Sequence, residues 1–346
     1  MVQLEAFARA TYTPFGHLLL SEPPPDTPSP IPHFRTISDN KPAARSIDLE
    51  DTIKILEYRQ EWIRDYLIDI GVKPLEFVGS CNVHDDPVKI SKEIKTALGL
   101  APNWAAVHSK WDVAQKHLVA MAENARIFVS KNSMVQNNTS RPLDPEEFRG
   151  LVLVDEYAPF VFINGADVPG AQMFTLAHEL VHVWMGESAS FDLRDLAPRP
   201  DVELEVTCNR VAAEFLVPAD TLLRLWDEFT AHSDDPYRAA SDYFKVSRIV
   251  AARRALDTGC ILQKDFDAFY TKYKLKYNAS KVQKSKKRGG PTPDLMAPHR
   301  VGSKFLQTVF TAVAERKILY TDAYYLTGLK SESFDKARDK MYGEVD

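Results

Sequence analysis

The run FTLAHELVHVWMG at residues 174–186 constrains this chain more than any other feature. Phe174, Leu176, Ala177, Leu180, Val181, Val183 and Trp184 put apolar side chains on nearly every side of a helix. The pattern predicts a helix from about Ala171 to Trp184, stopped by Gly186 and buried almost all round. Into that helix the sequence sets His178, Glu179 and His182. Polar and ionisable groups buried without partners cost on the order of several kcal/mol, so the fold must supply them a partner. The two histidines, four residues apart, lie on one face one turn apart and can reach a single metal ion. Glu179 stands about 100° round the helix from His178, beside such an ion, where its carboxylate can take a proton from a metal-bound water. Imidazole and carboxylate donors in a tetrahedral site with one open position predict one Zn2+ ion.

A catalytic site of this kind needs a third protein ligand. The positions three and six residues after His182 are Met185 and Ser188, which excludes the extended motif that continues with Gly and His there. The next helical pattern, from about Asp201 to Leu216 and ended by Pro218, offers Glu203, Glu205 and Glu214 in VELEVTCNRVAAEFLVP. Glu205 is the expected ligand, because it shares a face with Cys208, Asn209 and Ala212, small or polar residues that allow close helix approach. Glu203 lies across the helix and Glu214 more than two turns further on; both stay open as alternatives. Cys208 reads as a buried structural cysteine rather than a thiolate ligand. Asn209 is a candidate for orienting a ligand. The group facing the metal across the substrate carbonyl cannot be chosen from sequence, with Tyr157 and the remaining histidines as candidates.

Around this helix the chain is mainly helical. Residues 1–48 form an N-terminal segment with a Pro-rich strap, in which Pro23, Pro24, Pro25, Pro28, Pro30 and Pro32 favour extended backbone. A helical region spans 49–124, with patterns at 49–70, 87–98 and 109–124. The core at 125–235 opens with three apolar runs, 125–130, 150–155 and 159–164, that read as strands of a small, partly antiparallel sheet beside the zinc helix. FVFIN at 160–164 reads either as an edge strand open to an extended peptide or as a buried core strand. Residues 236–277 form a helix-turn-helix-like region broken near Lys245, with Ser247 as a cap and Arg248, Arg253 and Arg254 on the second helix. A basic linker at 278–299 and a C-terminal helical unit at 300–346 complete an α+β chain. The surrounding stretch 271–290 holds eight Lys or Arg and no acid. Its segment 272–288 is a candidate for weak nucleic-acid contact, though a solvated linker is the plainer reading.

Composition narrows the setting. With 43 Lys and Arg against 48 Asp and Glu, the net charge is −5, which argues against a chain built wholly around nucleic acid or anionic lipid. Three widely spaced cysteines, Cys81, Cys208 and Cys260, give no disulfide framework and fit a reducing cytoplasm. Glu5 and Arg9 interrupt any signal-peptide core, and no run of about 18 apolar residues exists to span a membrane.

FTLAHELVHVWMG followed by EVTCNRVAAEFLVP resembles the ImmA/IrrE metallo-endopeptidases. The similarity extends through TPFGHLLLSEPP, PIPHFRT, EFRGLVLVD and FVFIN, covering most of the chain to about Ile261. It implies zinc ligands at His178, His182 and Glu205, with Glu179 as the catalytic base. It also implies site-specific cleavage of a helix-turn-helix repressor of prophage, mobile-element or stress-response genes. Many relatives carry such a DNA-binding domain ahead of the peptidase; here the expected repressor is a separate protein. Two other readings compete. One is a regulatory DNA- or partner-binding protein with a structural zinc site, and the other is the toxin of a toxin-antitoxin pair.

Overall fold

The computed structural model describes residues 3–4, 7–8, 15–22, 45–191, 203–283 and 293–343. The Pro-rich strap at 23–44 lies outside them, as does Lys286–Arg288 of the basic stretch. Three helices lead in: α1 (Ile47–Asp69), α2 (Pro87–Ala97) and α3 (Trp111–Asn124). The first two are capped as their sequences require. Ser46 accepts from the Leu49 amide to start α1, and Asp86 accepts from Val88 ahead of Pro87 to start α2.

Three strands follow, β1 (Phe128–Asn132), β2 (Gly150–Leu153) and β3 (Phe160–Asn164), and after helix α4 (Pro169–Met185) comes the three-residue β4 (Ala189–Phe191). Their order in the sheet is β1-β3-β2-β4, with β1 parallel to β3 and both other pairings antiparallel. The reading of FVFIN as an open edge is therefore corrected. β3 lies between β1 and β2, paired on both sides, and all five of its residues are buried.

The apolar runs are continuous because the sheet is covered on both faces. Val129, Val152, Val161 and Ile163 point into one core, with Met173, Leu176, Leu180 and Val183 of α4. That core also takes residues of α5 (Glu203–Leu216), α6 (Ala219–Ala231), α7 (Pro236–Phe244) and α8 (Arg248–Asp257). Phe128, Leu151, Leu153, Phe160 and Phe162 point the other way, into a second core built with α1. That second core also takes residues of α11 (Ser303–Ala314), α12 (Tyr320–Thr327) and α13 (Ser331–Tyr342). Between them run α9 (Gln263–Gln283), which continues into the segment expected to be linker, and α10 (Pro293–Arg300).

The C-terminal helices are thus one cover of the sheet. Phe305 meets Phe128 and Phe160 edge-on, with ring centroids 6.4 and 5.9 Å away. The buried Arg59 of α1 donates from Nε to the Leu326 carbonyl at 2.8 Å. No helix among the described residues is long and apolar enough to cross a membrane.

Candidate metal centre

Helix α4 starts at Pro169, whose missing amide costs nothing at a first helical position, and stops at Gly186 in the left-handed conformation with φ 77°. All its residues from Ala171 to Met185 are buried. Its C-terminal end is held from outside. The Gly79 amide donates to Val183 O and the Cys81 amide to Trp184 O, each at 3.0 Å, while Phe77 stacks on Trp184.

Against this helix packs α5, and Glu205 in its first turn meets both histidines. His178 Nε2 stands 3.1 Å from Glu205 Oε2, His182 Nε2 stands 3.2 Å from Glu205 Oε1, and the two Nε2 atoms are 3.0 Å apart. The three residues form the one group of three or more potential ligands found among the described residues. His178 and His182 are fully buried and Glu205 is 2% exposed. The other carboxylates of α5 point elsewhere. Glu203 is exposed and pairs with His84 at 3.3 Å, and Glu214 pairs with Arg254.

The donor set fits a zinc ion. Ligand atoms about 2.0–2.1 Å from a tetrahedral zinc stand roughly 3.4 Å from one another, close to the three separations observed here. Two imidazole nitrogens and a carboxylate, all able to offer lone pairs to one point, are stabilised together by a cation at that point. Glu179 supports the same reading. It is fully buried, and neither of its carboxylate oxygens has a hydrogen-bond partner in the protein. Such a group is costly unless something outside the protein's own donors satisfies it.

Electrostatics follow from burial. Desolvation opposes ionisation of Glu205, but attraction to His178 and hydrogen bonds from both histidines outweigh it and hold its carboxyl far below the usual range. Desolvation lowers the His178 pKa, with Glu205 pulling the other way. Burial first, and then the Glu205 charge, push Glu179 well above the ordinary carboxylate range; a divalent cation alongside reverses that preference. Burial also pushes the Cys208 thiol well up, with Glu205 and Glu179 adding to it, so this side chain is a neutral packing group. Asn209, one turn after Glu205, favours the protonated form of His178.

Sequence reasoning missed Gly150 at the head of β2. A Cβ there would lie 2.6 Å from Glu179 Oε1 and 2.6 Å from Thr175 Cγ2, so the strand backbone itself forms the wall of the site. The available signal was a glycine opening an apolar strand, which marks a close approach of backbone to something else. The helix-turn-helix-like pair is present as α7 and α8, with Lys245 left-handed at φ 58° and Ser247 capping α8. Its arginines are engaged within the protein: Arg248 with Asp235, Arg253 with Asp257, and Arg254 with Glu214 and the Val217 carbonyl.

No curated protein matches the chain. Residues 301–339, which include most of the sheet's second cover, match a domain of unknown function, DUF8813. Residues 122–256 run from the end of α3 to the end of α8 and enclose the sheet, the histidine pair and Glu205. They match the IrrE N-terminal-like domain of the Peptidase_M78 family, to which this core of the chain is similar.

Proposed function

We propose that the protein is a zinc-dependent endopeptidase that hydrolyses a peptide bond in a protein substrate. The observation that carries the reading is the convergence of His178 Nε2, His182 Nε2 and the Glu205 carboxylate beside a buried Glu179 whose oxygens have no protein partner. His178, His182 and Glu205 would hold the zinc, which when bound would supply Lewis acidity to the scissile carbonyl and to an attacking water. Glu179 accepts a proton from the attacking water on a carboxylate oxygen as the water oxygen bonds to the carbonyl carbon. It returns that proton to the amide nitrogen as the C–N bond breaks. His178 and His182 hold position on adjacent turns of a helix buried from Ala171 to Met185. Exclusion of bulk water, implied by the burial of all four ionisable residues, strengthens each of these interactions.

The substrate in this reading is a separately encoded helix-turn-helix repressor, met in the cytoplasm. Support comes from the similarity of the motif segments to the ImmA/IrrE enzymes and from the family match over the core. A DNA-binding role for the protein itself gains no support from α8, whose arginines are held by acids of the same region. A substrate trap tests the proposal: Glu179→Gln is expressed in the native cell and recovered with zinc, and the proteins that co-purify are identified by mass spectrometry. The expected result is a repressor that the wild-type protein cuts at one position and Glu179→Gln does not. Equal cleavage by both proteins would sink the assignment of Glu179, and a repressor captured but left intact by zinc-loaded wild type would sink the peptidase reading.

A further inference from the structure

We infer that the cavity between the end of α3 and the C-terminal helices binds a free α-amino acid with an apolar side chain, its ammonium held by Glu123 and its carboxylate by Lys304. The site is separate from the metal centre. Among the described residues that line it, none is a histidine of the α4 pair, Glu179 or Glu205, so the inference does not depend on the peptidase reading.

The cavity has a volume of about 510 Å³ and is walled by α3, α10, α11 and α13. That size lies within the roughly 300–1,000 Å³ of small-molecule sites. One side of it is rigid. Gly302, just ahead of α11, packs so closely on the sheet that an added Cβ would lie 2.7 Å from the Val129 carbonyl oxygen and 3.6 Å from Glu123 Oε1. Glu123 is fixed there in turn, because it accepts from the Lys304 amide at 3.0 Å.

Four charged side chains face the cavity, one from each wall: Glu123 of α3, Asp294 of α10, Lys304 of α11 and Lys340 of α13. Two of them satisfy each other, since the Lys340 ammonium pairs with the Asp294 carboxylate. The other two are left over. Among the described residues, neither the Glu123 carboxylate, which is 8% exposed, nor the Lys304 ammonium has an ion-pair partner within 4 Å. Burial pushes the Glu123 carboxyl up to about 7, against the pull of the Lys304 and Ser303 amides and the Lys304 charge. An ammonium group beside it favours the ionised form and gains a charge-assisted hydrogen bond. A simple amine would still leave Lys304 unmatched, and a simple carboxylate would leave Glu123 so. A zwitterion answers both.

The remaining wall selects the side chain. Leu295, Pro298 and Met341 line the same cavity, with Leu295 52% exposed and the other two half-buried. A leucine- or methionine-like side chain laid on them takes apolar surface out of water on both partners. The bound molecule would touch α3 and all three C-terminal helices at once, so it would also stabilise their seating on the sheet.

Calorimetric titration of the zinc-loaded full chain with L-leucine, L-methionine and L-phenylalanine tests the inference. The tightest binder is then compared on wild type, Glu123→Gln and Lys304→Met, beside its analogues lacking the carboxylate or the ammonium; for leucine these are isoamylamine and 4-methylpentanoate. Glu123→Gln keeps an oxygen for the Lys304 amide, and Lys304→Met keeps that amide, so both variants retain the cap of α11. One amino acid per chain is expected, bound at least tenfold more weakly by each variant, with each analogue at least tenfold weaker on wild type. Hydrogen exchange should slow over residues 303–307. The inference is overturned if none of the three amino acids binds at about 10 mM, if either variant binds as wild type does, or if either analogue matches the amino acid. Binding of the amino acid to the metal centre alone would show as equal affinity in all three proteins, which is one of those outcomes.

Discussion

Gly150 and Glu179 touch: the α-carbon of the first stands so close to the carboxylate of the second that an added methyl group would lie 2.6 Å from Oε1. Thr175 Cγ2, one turn earlier on α4, would lie at the same distance, so no single side-chain rotation relieves the clash. Gly150→Ala must therefore separate β2 from α4 or move Glu179. The expected cost is that of overpacking a dense core, about 1–3 kcal/mol. Hydrolysis should fall far more than zinc content, because the atoms a Cβ would meet belong to Glu179 and Thr175 and to none of the three candidate ligands. Thermal unfolding, zinc stoichiometry and cleavage rate measured on one preparation check this.

The metal should also stabilise the fold. The candidate ligands come from α4 and α5, so a zinc ion held by them would bind the folded chain and not the unfolded one, adding about 4 kcal/mol when present at a thousand times its dissociation constant. A chelator is expected to lower the unfolding temperature reversibly. Glu205→Ala should reproduce that effect and weaken zinc binding by more than the roughly 10–100-fold typical of residues that only support a ligand. Glu179→Gln should leave zinc affinity close to wild type while abolishing cleavage. An unfolding temperature indifferent to chelator would refute the account.

The site was legible in the sequence to the extent that its groups are local. His178, Glu179 and His182 share one helix, and Gly186 ends it as its left-handed φ requires. Glu205 was legible because α5 follows closely and places small residues on the same face. Gly150 is opposite in kind: its reason for being glycine lies 29 positions away, at Glu179. The three strands could be read, but their order could not, because a run buried on both faces carries no alternation to show which strands flank it. Helix α6 was missed because Pro218 reads as a terminator, when it also precedes a new start at Ala219. The seating of α11–α13 on the sheet depends on pairs such as Phe305 with Phe128, which no local pattern reveals.

That seating makes the C-terminal helices part of the core fold. A chain ending at residue 283 would uncover Phe128, Leu151, Leu153, Phe160 and Phe162, all in the core shared with α11–α13. At about 1.5–3 kcal/mol for each such side chain, the loss is up to roughly 8–15 kcal/mol, the size of a domain's whole net stability. The truncated protein is expected to bind the dye ANS and to unfold without a cooperative transition, although every zinc ligand is retained. A soluble, cooperatively unfolding fragment of this length would show that the cover is dispensable.

Glu123 supplies a pH dependence away from the metal. At the end of α3 it accepts from the Lys304 amide at 3.0 Å, capping α11 across the fold. Burial pushes its carboxyl up to about 7, against the opposing effect of the Lys304 and Ser303 amides. The folded chain therefore holds this proton over a range, from about 4.5 to about 7, in which the unfolded chain has released it. The stabilisation that goes with the bound proton is complete below that range and is lost as pH rises through about 7. Glu123→Gln keeps an oxygen for the Lys304 amide but does not titrate. Relative to wild type, the variant should gain stability steadily as pH rises from about 4.5 to about 7 and little beyond. Denaturant unfolding of both proteins across that range measures it, and a difference independent of pH would show that the Glu123 carboxyl titrates alike in both states.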